Sequence, residues 1–176
     1  AKGSALATKL AAKYTDKLSY YKSFNAADQQ AYTEVILVDV ERYRAVVDVA
    51  VDADDTDTAS MLIKNFIENT RQFAPLYSAY DYYAPMASYV RVLFAADMTE
   101  SGRLLYDAIA QVYQNRLALF SQVPDEELPY YKESISFEVR MYQSMLEIYQ
   151  SVEPNLDSVS KANEAFRKAT APYTLD

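Results

Sequence analysis

AYTEVILVDVERYRAVVDVA, residues 31–50, decides the fold. Its apolar positions Tyr32, Ile36, Val40, Tyr43, Val47 and Ala50 stand three or four apart. That spacing puts them on one side of a helix, whereas a half-buried strand alternates every second residue. Upstream, Leu6, Leu10, Tyr14, Leu18 and Tyr21 repeat the pattern. Between the two runs, SFNAADQQ offers Asn25 as an N-cap with Asp28 in the first turn. No Gly or Pro forces a stop there, so the first helix either bends or continues through Asn25. Downstream, DADDTDTAS is the clearest break, because Asp and Thr compete for backbone hydrogen bonds and favour turns. The expected loop runs from Asp52 to Thr58.

Beyond that loop Leu62, Phe66, Phe73, Tyr77, Tyr80, Ala84, Ala87 and Arg91 keep helical spacing through Pro75 and Pro85. Each proline lacks a donor and crowds the carbonyl four residues back, so this second helix is expected to be proline-interrupted. AADMTESGR holds a connection with Thr99 and Ser101 as cap candidates, and Leu105, Ile109, Val112, Tyr113 and Phe120 mark the next helix. Pro124 and the three acids after it suit a new helical start, where the helix dipole favours negative charge. Tyr131, Ile135, Val139, Tyr142, Leu146 and Tyr149 carry that helix to about Ser151, and Asn155 to Thr170 forms a short, weakly amphipathic final one. With Gly 2 and Pro 6, tight β-turns are scarce. The expectation is an all-α chain, an antiparallel helical bundle of four to five helices, in a single helical domain over residues 1–176.

Composition excludes several chemistries. His 0 and Cys 0 remove the usual ligands of zinc, haem and iron–sulfur centres, the thiol nucleophile and the common neutral-pH base. A di-iron bundle built on Glu-x-x-His pairs is excluded for the same reason. The net charge of −8, with no basic stripe, argues against nucleic acid as a partner. No run of about 18 uncharged apolar residues is present to span a bilayer. The acids Asp52, Asp54, Asp55 and Asp57 resemble a calcium loop only superficially. They have no central glycine, and Ile63 stands at the twelfth position where the EF-hand needs glutamate. No metal site and no cofactor are expected. Gly3 and Gly102 stand alone, so no glycine-rich phosphate loop exists, and the carboxylates fall in no catalytic motif.

The unusual feature is 17 tyrosines against 7 phenylalanines. They cluster most densely in APLYSAYDYYAP, residues 74–85. Tyr77, Tyr80 and Ala84 continue the stripe of Phe66 and Phe73, whereas Tyr82, Met86, Tyr89 and Leu93 lie on nearly the opposite side. A helix apolar on both sides must be covered on both, by its own chain or by a partner, a second subunit or a ligand. If its own chain leaves the second face partly open, Tyr82 and Tyr89 form the candidate binding surface, with Tyr83 and Arg91 as polar handles.

The run YSAYDYYAPMASYVRVLFAADMTESGRLLYDAI, within Phe73 to Pro124, joins a tyrosine-rich helix to an aspartate-containing break and a second amphipathic helix. In this it resembles the YiiG-like bacterial lipoproteins. That resemblance implies an all-α, lipid-anchored protein of the bacterial cell envelope, outside the cytoplasm, and supplies no functional residues. The functional expectation is a non-enzymatic binding or interaction domain for a protein partner or small ligand. The alternative is the ligand-sensing helical bundle of a membrane receptor. Membrane association is expected only through a lipid anchor or flanking segment outside this sequence, and self-association stays open.

Overall fold

The computed structural model describes residues 2–53 and 55–173. Every regular element among them is helical, and none is a strand. The chain divides into two compact units, Ala1–Tyr82 with Ala95–Met98, and Tyr83–Phe94 with Thr99–Asp176.

In the first unit, α1 (Lys2–Lys22) packs on α3 (Thr33–Asp52) and α4 (Thr56–Thr70), and α3 packs on α4. The stripe from residues 31–50 does this work. Ile36, Val40, Tyr43, Val47 and Ala50 are all buried, and only Tyr32, at the start, lies outside the core. The first helix stops before Asn25. Asn25 caps the short α2 (Ala26–Ala31) by accepting from the Asp28 N–H at 2.9 Å. This settles the bend-or-continue alternative: a side-chain oxygen that satisfies a free helical N–H starts a new helix without Gly or Pro. The expected stripe of α1 holds from Leu10 to Tyr21, with Leu18 and Tyr21 buried, but its first turns differ. Ser4, Ala7 and Ala11 face inward and Leu6 is 59% exposed. Small residues let the helix backbone come close to its neighbours, and that approach outweighs burial of one leucine.

The loop after α3 is tighter than expected. Asp55 already caps α4, its carboxylate accepting from the Thr58 N–H at 3.2 Å and the Thr58 hydroxyl at 2.9 Å. Asp54 of the acidic cluster lies outside the described residues. Past α4, a 3-10 segment, Arg71–Leu76, carries Pro75 and leads into α5 (Ala79–Tyr83).

In the second unit a 3-10 turn, Ala84–Met86, carries Pro85 and runs into α6 (Ala87–Ala95). Asp97 takes positive φ, 58°, a conformation that Asp tolerates better than most side chains, and α7 (Thr99–Phe120) begins two residues later. Thr99 and Ser101 are thus its first-turn residues. The next helix does not start at Pro124. Residues 124–127 turn, Leu128–Tyr131 is 3-10, and α8 runs Lys132–Val152. Pro129 explains the delay, since it cannot donate to a carbonyl four residues back and restricts the residue before it. Asn155 caps α9 (Leu156–Thr170), accepting from the N–H groups of Asp157 and Ser158. Helix α7 packs on α8 and α9, and α8 packs on α9.

Candidate functional site

The residues singled out by sequence take different places. Tyr82 belongs to the first unit, and Tyr83, Tyr89 and Arg91 to the second. Tyr82 and Tyr89 have no exposed surface, and Met86 and Leu93 are equally buried. The second apolar face is therefore covered by the chain itself, so the partly open surface considered for it is corrected. Tyr82 shows the reason for this in detail. Its hydroxyl pairs with Thr70 Oγ1 at 2.8 Å, Thr70 in turn donates to the Phe66 carbonyl, and the Tyr82 carbonyl accepts from Arg44 at 3.3 Å. A phenol with fixed polar partners is as suitable for a core as phenylalanine. Tyr83 is half-buried and Arg91 exposed.

An open cleft of about 370 Å³ lies instead among α7, α8 and α9 of the second unit. Helix α7 lines it with Arg103, Tyr106, Asp107, Ala110, Gln111 and Gln114. These residues fall three or four apart, so they share one face. Tyr142 and Tyr149, seven apart on α8, stand behind its wall with almost no exposed surface, and Ser158, Lys161, Ala162 and Ala165 on α9 complete it. The space exists because Ala110, Ala162 and Ala165 stand where larger side chains would fill it.

One wall is rigidly built. Glu153, at the end of α8, has no exposed side-chain surface and accepts two hydrogen bonds from Arg103, at 2.6 and 2.7 Å. It also accepts from the Tyr149 hydroxyl at 3.0 Å and from the Asn155 N–H at 2.8 Å. The Arg103 guanidinium is the largest reason that the Glu153 carboxyl is held down at about 2; burial opposes it, and the Asn155 N–H and Tyr149 hydroxyl assist. The same pairing raises the Arg103 guanidinium above its ordinary value. Tyr149 stacks on Tyr106 with ring centroids 3.8 Å apart and an interplanar angle of 11°. Behind Tyr149 the Phe94 ring packs edge-on at 5.9 Å. Phe94 itself lies where a Cβ on Gly102 would sit 2.6 Å from a ring atom. Gly102 therefore gives the Phe94 ring room to back the wall.

Tyr106 is the odd member. The residue is 2% exposed and its hydroxyl is buried without a hydrogen-bond partner among the described residues. By contrast the Tyr142 hydroxyl accepts from Gln114 at 2.8 Å. Burial raises the phenols of Tyr106 and Tyr142, and it is the first cause that pushes Tyr149 up to about 12. All three stay protonated at neutral pH, which makes them hydrogen-bond donors and poor bases. Desolvation raises the Asp107 carboxyl as well, although the residue as a whole is exposed.

Sequence reasoning placed Tyr113, Tyr142 and Tyr149 in helical stripes but passed over this constellation. The available signal was polar residues at helical spacing beside an apolar stripe on α7, namely Arg103, Asp107, Gln111 and Gln114, together with alanines on α9. Among the described residues no group of acids is arranged to hold a metal ion, and no helix is long and apolar enough to cross a membrane. No protein-family model, curated protein or solved structure matches this chain.

Proposed function

We propose that the chain is a non-enzymatic helical binding domain whose second unit takes a small polar ligand in the α7–α8–α9 cleft. The carrying observation is the buried, unpartnered Tyr106 hydroxyl at a cleft of about 370 Å³. An unpaired buried hydroxyl costs about 1–3 kcal/mol, and because this one has no accessible surface, a ligand recovers that loss only where the Tyr106 ring turns toward the cleft. The volume lies within the range of small-molecule sites, and Arg103, Asp107, Gln111, Gln114, Ser158 and Lys161 make half of the lining residues polar, which suits a polar ligand. Protonated phenols beside a preformed ion pair favour recognition over proton transfer.

The same proposal includes an antiparallel bundle arrangement, a proline-interrupted second helix and a single domain. It also includes attachment to the bacterial envelope through a lipid anchor, supported by the helix–break–helix pattern of Phe73 to Pro124. Ligand sensing for a membrane receptor is the second reading. It is favoured by α9, which lines the cleft yet buries only Ala162 among its side chains, so ligand contacts have leverage on its position.

A thermal-shift screen of metabolites and metal ions on the wild type and on Ala165→Trp tests the site. Ala165 is half-buried, so tryptophan there fills the cleft while leaving the fully buried core untouched. At a ligand concentration 100 times its Kd, the native state gains about 2.7 kcal/mol. The expected result is a ligand that raises the wild-type Tm by several degrees and leaves Ala165→Trp unmoved. Ligands that stabilise both proteins alike, or none that stabilises the wild type, overturn the cleft as the binding site.

A further inference from the structure

We propose that α9 is a hinged lid on the cleft: it swings about Pro154, is held shut by Phe166 and Tyr173, and uncovers the Tyr142 ring when it opens. The purpose of this motion rests on the cleft being the ligand site; the motion itself does not. Three helices line the cleft, and they are held very unequally. Helix α7 buries Leu105, Ile109 and Tyr113 among others, and α8 buries Tyr142, Leu146 and Tyr149. Of the 15 residues of α9 only Ala162 is buried. Apolar burial is what holds a helix to its neighbours, and one methyl group contributes little of it. An element with so few buried contacts opens locally well before its domain unfolds.

The hinge is set by the sequence. Helix α8 ends at Val152, and Pro154 cannot continue it, having no N–H to donate and holding Glu153 in extended backbone. On one side of Pro154 the Glu153 carboxylate is locked by Arg103 and accepts from the Asn155 N–H at 2.8 Å. On the other, the Asn155 side chain caps the first turn of α9. The pivot is thus fixed to the rigid wall, and the helix beyond it carries its own cap and can move as a unit. The remaining ties are light. The Phe166 ring meets Tyr142 edge-on at 5.1 Å, and Asn163 accepts from Gln150 at 2.9 Å in an exposed position. Beyond α9 the Tyr173 hydroxyl donates to the Leu117 carbonyl, in the last turn of α7, at 2.6 Å. Phe166 and Tyr173 are both half-buried, so water meets part of each already. Beneath Phe166, Tyr142 has no exposed surface. A ligand reaches that ring when its cover moves, and α9 is the most weakly held cover.

The chain has Cys 0, so an introduced cysteine is its sole thiol. Three single variants are compared by their rate of labelling with an aromatic disulfide reagent, without ligand, in urea below the unfolding transition. Ala162→Cys lies on the inner face of α9, Ala110→Cys on the α7 side of the cleft, and Val112→Cys on α7 away from the cleft. The native residues are 7%, 4% and 6% exposed, so static exposure does not separate them. The expected result is labelling of Ala162→Cys and Ala110→Cys at least tenfold faster than Val112→Cys, at rates that barely respond to urea while that of Val112→Cys rises steeply. Adding Tyr173→Phe removes a bond broken on opening, and is expected to speed Ala162→Cys about fivefold. Adding Glu153→Gln weakens a pivot that the open state keeps, and is expected to speed Val112→Cys but not Ala162→Cys. Hydrogen exchange of the wild type gives the same comparison without a cysteine: α9 amides should exchange at least tenfold faster than the interior amides of α7 and α8. Labelling of Ala162→Cys no faster than Val112→Cys, or α9 amides exchanging together with those of α7 and α8, overturns the lid. Fast Ala162→Cys with Ala110→Cys as slow as Val112→Cys means that α9 moves without opening the cleft, and overturns the uncovering of Tyr142. No response to Tyr173→Phe overturns the latch. These rates are read without ligand, so failure of the metabolite screen counts against the cleft and not against the lid.

Discussion

In the first unit the buried phenols of Tyr21, Tyr43 and Tyr82 each meet a fixed side chain, Asp39, Thr15 and Thr70 respectively. In the second, Tyr142 meets Gln114 and Tyr149 meets Glu153, but the Tyr106 hydroxyl meets no partner among the described residues. Both units are built from three mutually packed helices and rely on tyrosine for bulk. The difference lies in what the small residues do. Ala7 and Ala11 of α1 are buried against neighbours, so small size there brings helices together. Ala165 of α9 is half-buried at an open cleft, so small size there leaves space. An unpaired phenol in a closed core is a defect; in the wall of an open cleft it is the group that the proposed function assigns to a ligand.

The first unit buries the carboxylate of Asp39 and the second those of Glu138 and Glu153, and Asp39 and Glu153 sharpen the comparison. Glu153 accepts from Arg103, Tyr149 and a backbone N–H, and it anchors the cleft wall. Glu153→Gln is expected to cost roughly 2 kcal/mol, below the range for a fully buried broken pair because Arg103 is partly exposed and can rehydrate. The effect has a pH signature. The folded carboxyl is held at about 2 against an ordinary 4.5, a depressed value. Its contribution is thus complete above about pH 4.5 and fades as the pH falls toward 2. Denaturant midpoints measured across that window should fall more steeply for wild type than for Glu153→Gln; parallel curves contradict this assignment.

Asp39 accepts from Lys17 at 2.7 Å and from Tyr21 at 2.9 Å, with no backbone donor. Lys17 is about half exposed and can turn to water. Asp39→Asn should therefore cost less than Glu153→Gln, about 1 kcal/mol, as read by the shift in urea midpoint. A larger loss than at Glu153 would break the claim that the more demanding polar construction belongs to the cleft unit.

Gly102→Ala probes the backing of the cleft. Alanine improves helix propensity by about 1 kcal/mol, while the clash with Phe94 costs about 1–3 kcal/mol. The expected net effect is a loss of about 1 kcal/mol, with the Phe94 ring displaced and the Tyr106–Tyr149 stack loosened. A crystal structure of the variant with that stack unchanged shows that Phe94 does not support the wall.

Much of the fold was legible because it depends on local chemistry. The stripe of α3, the cap at Asn25, the span of α9 and the end of α8 follow from spacing and from side chains that bond nearby N–H groups. What depended on other helices was not legible. Which side of the first turns of α1 faces inward is decided by how closely Ser4, Ala7 and Ala11 let it approach its neighbours, so Leu6 was assigned to the wrong face while Leu18 and Tyr21 were not. The start of α8 was moved by Pro129, whose missing donor outweighed the acids after Pro124. The tyrosines of residues 74–85 drew attention by their density, yet Tyr82 is satisfied by Thr70, twelve residues away. The cleft was hidden because its defining feature is a bond that Tyr106 does not make, and no local pattern records a missing partner.

The central claim is that the Tyr106 hydroxyl has no partner in the ligand-free protein. Urea unfolding of Tyr82→Phe and Tyr106→Phe, compared with wild type without added ligand, tests it most directly. Tyr82→Phe removes a buried bond to Thr70 and should lose about 1 kcal/mol. Tyr106→Phe should match or exceed wild-type stability, because it deletes a desolvated hydroxyl that bonds nothing. A loss at Tyr106→Phe equal to that at Tyr82→Phe would mean the hydroxyl is already satisfied, and would contradict its role as a group held for a ligand.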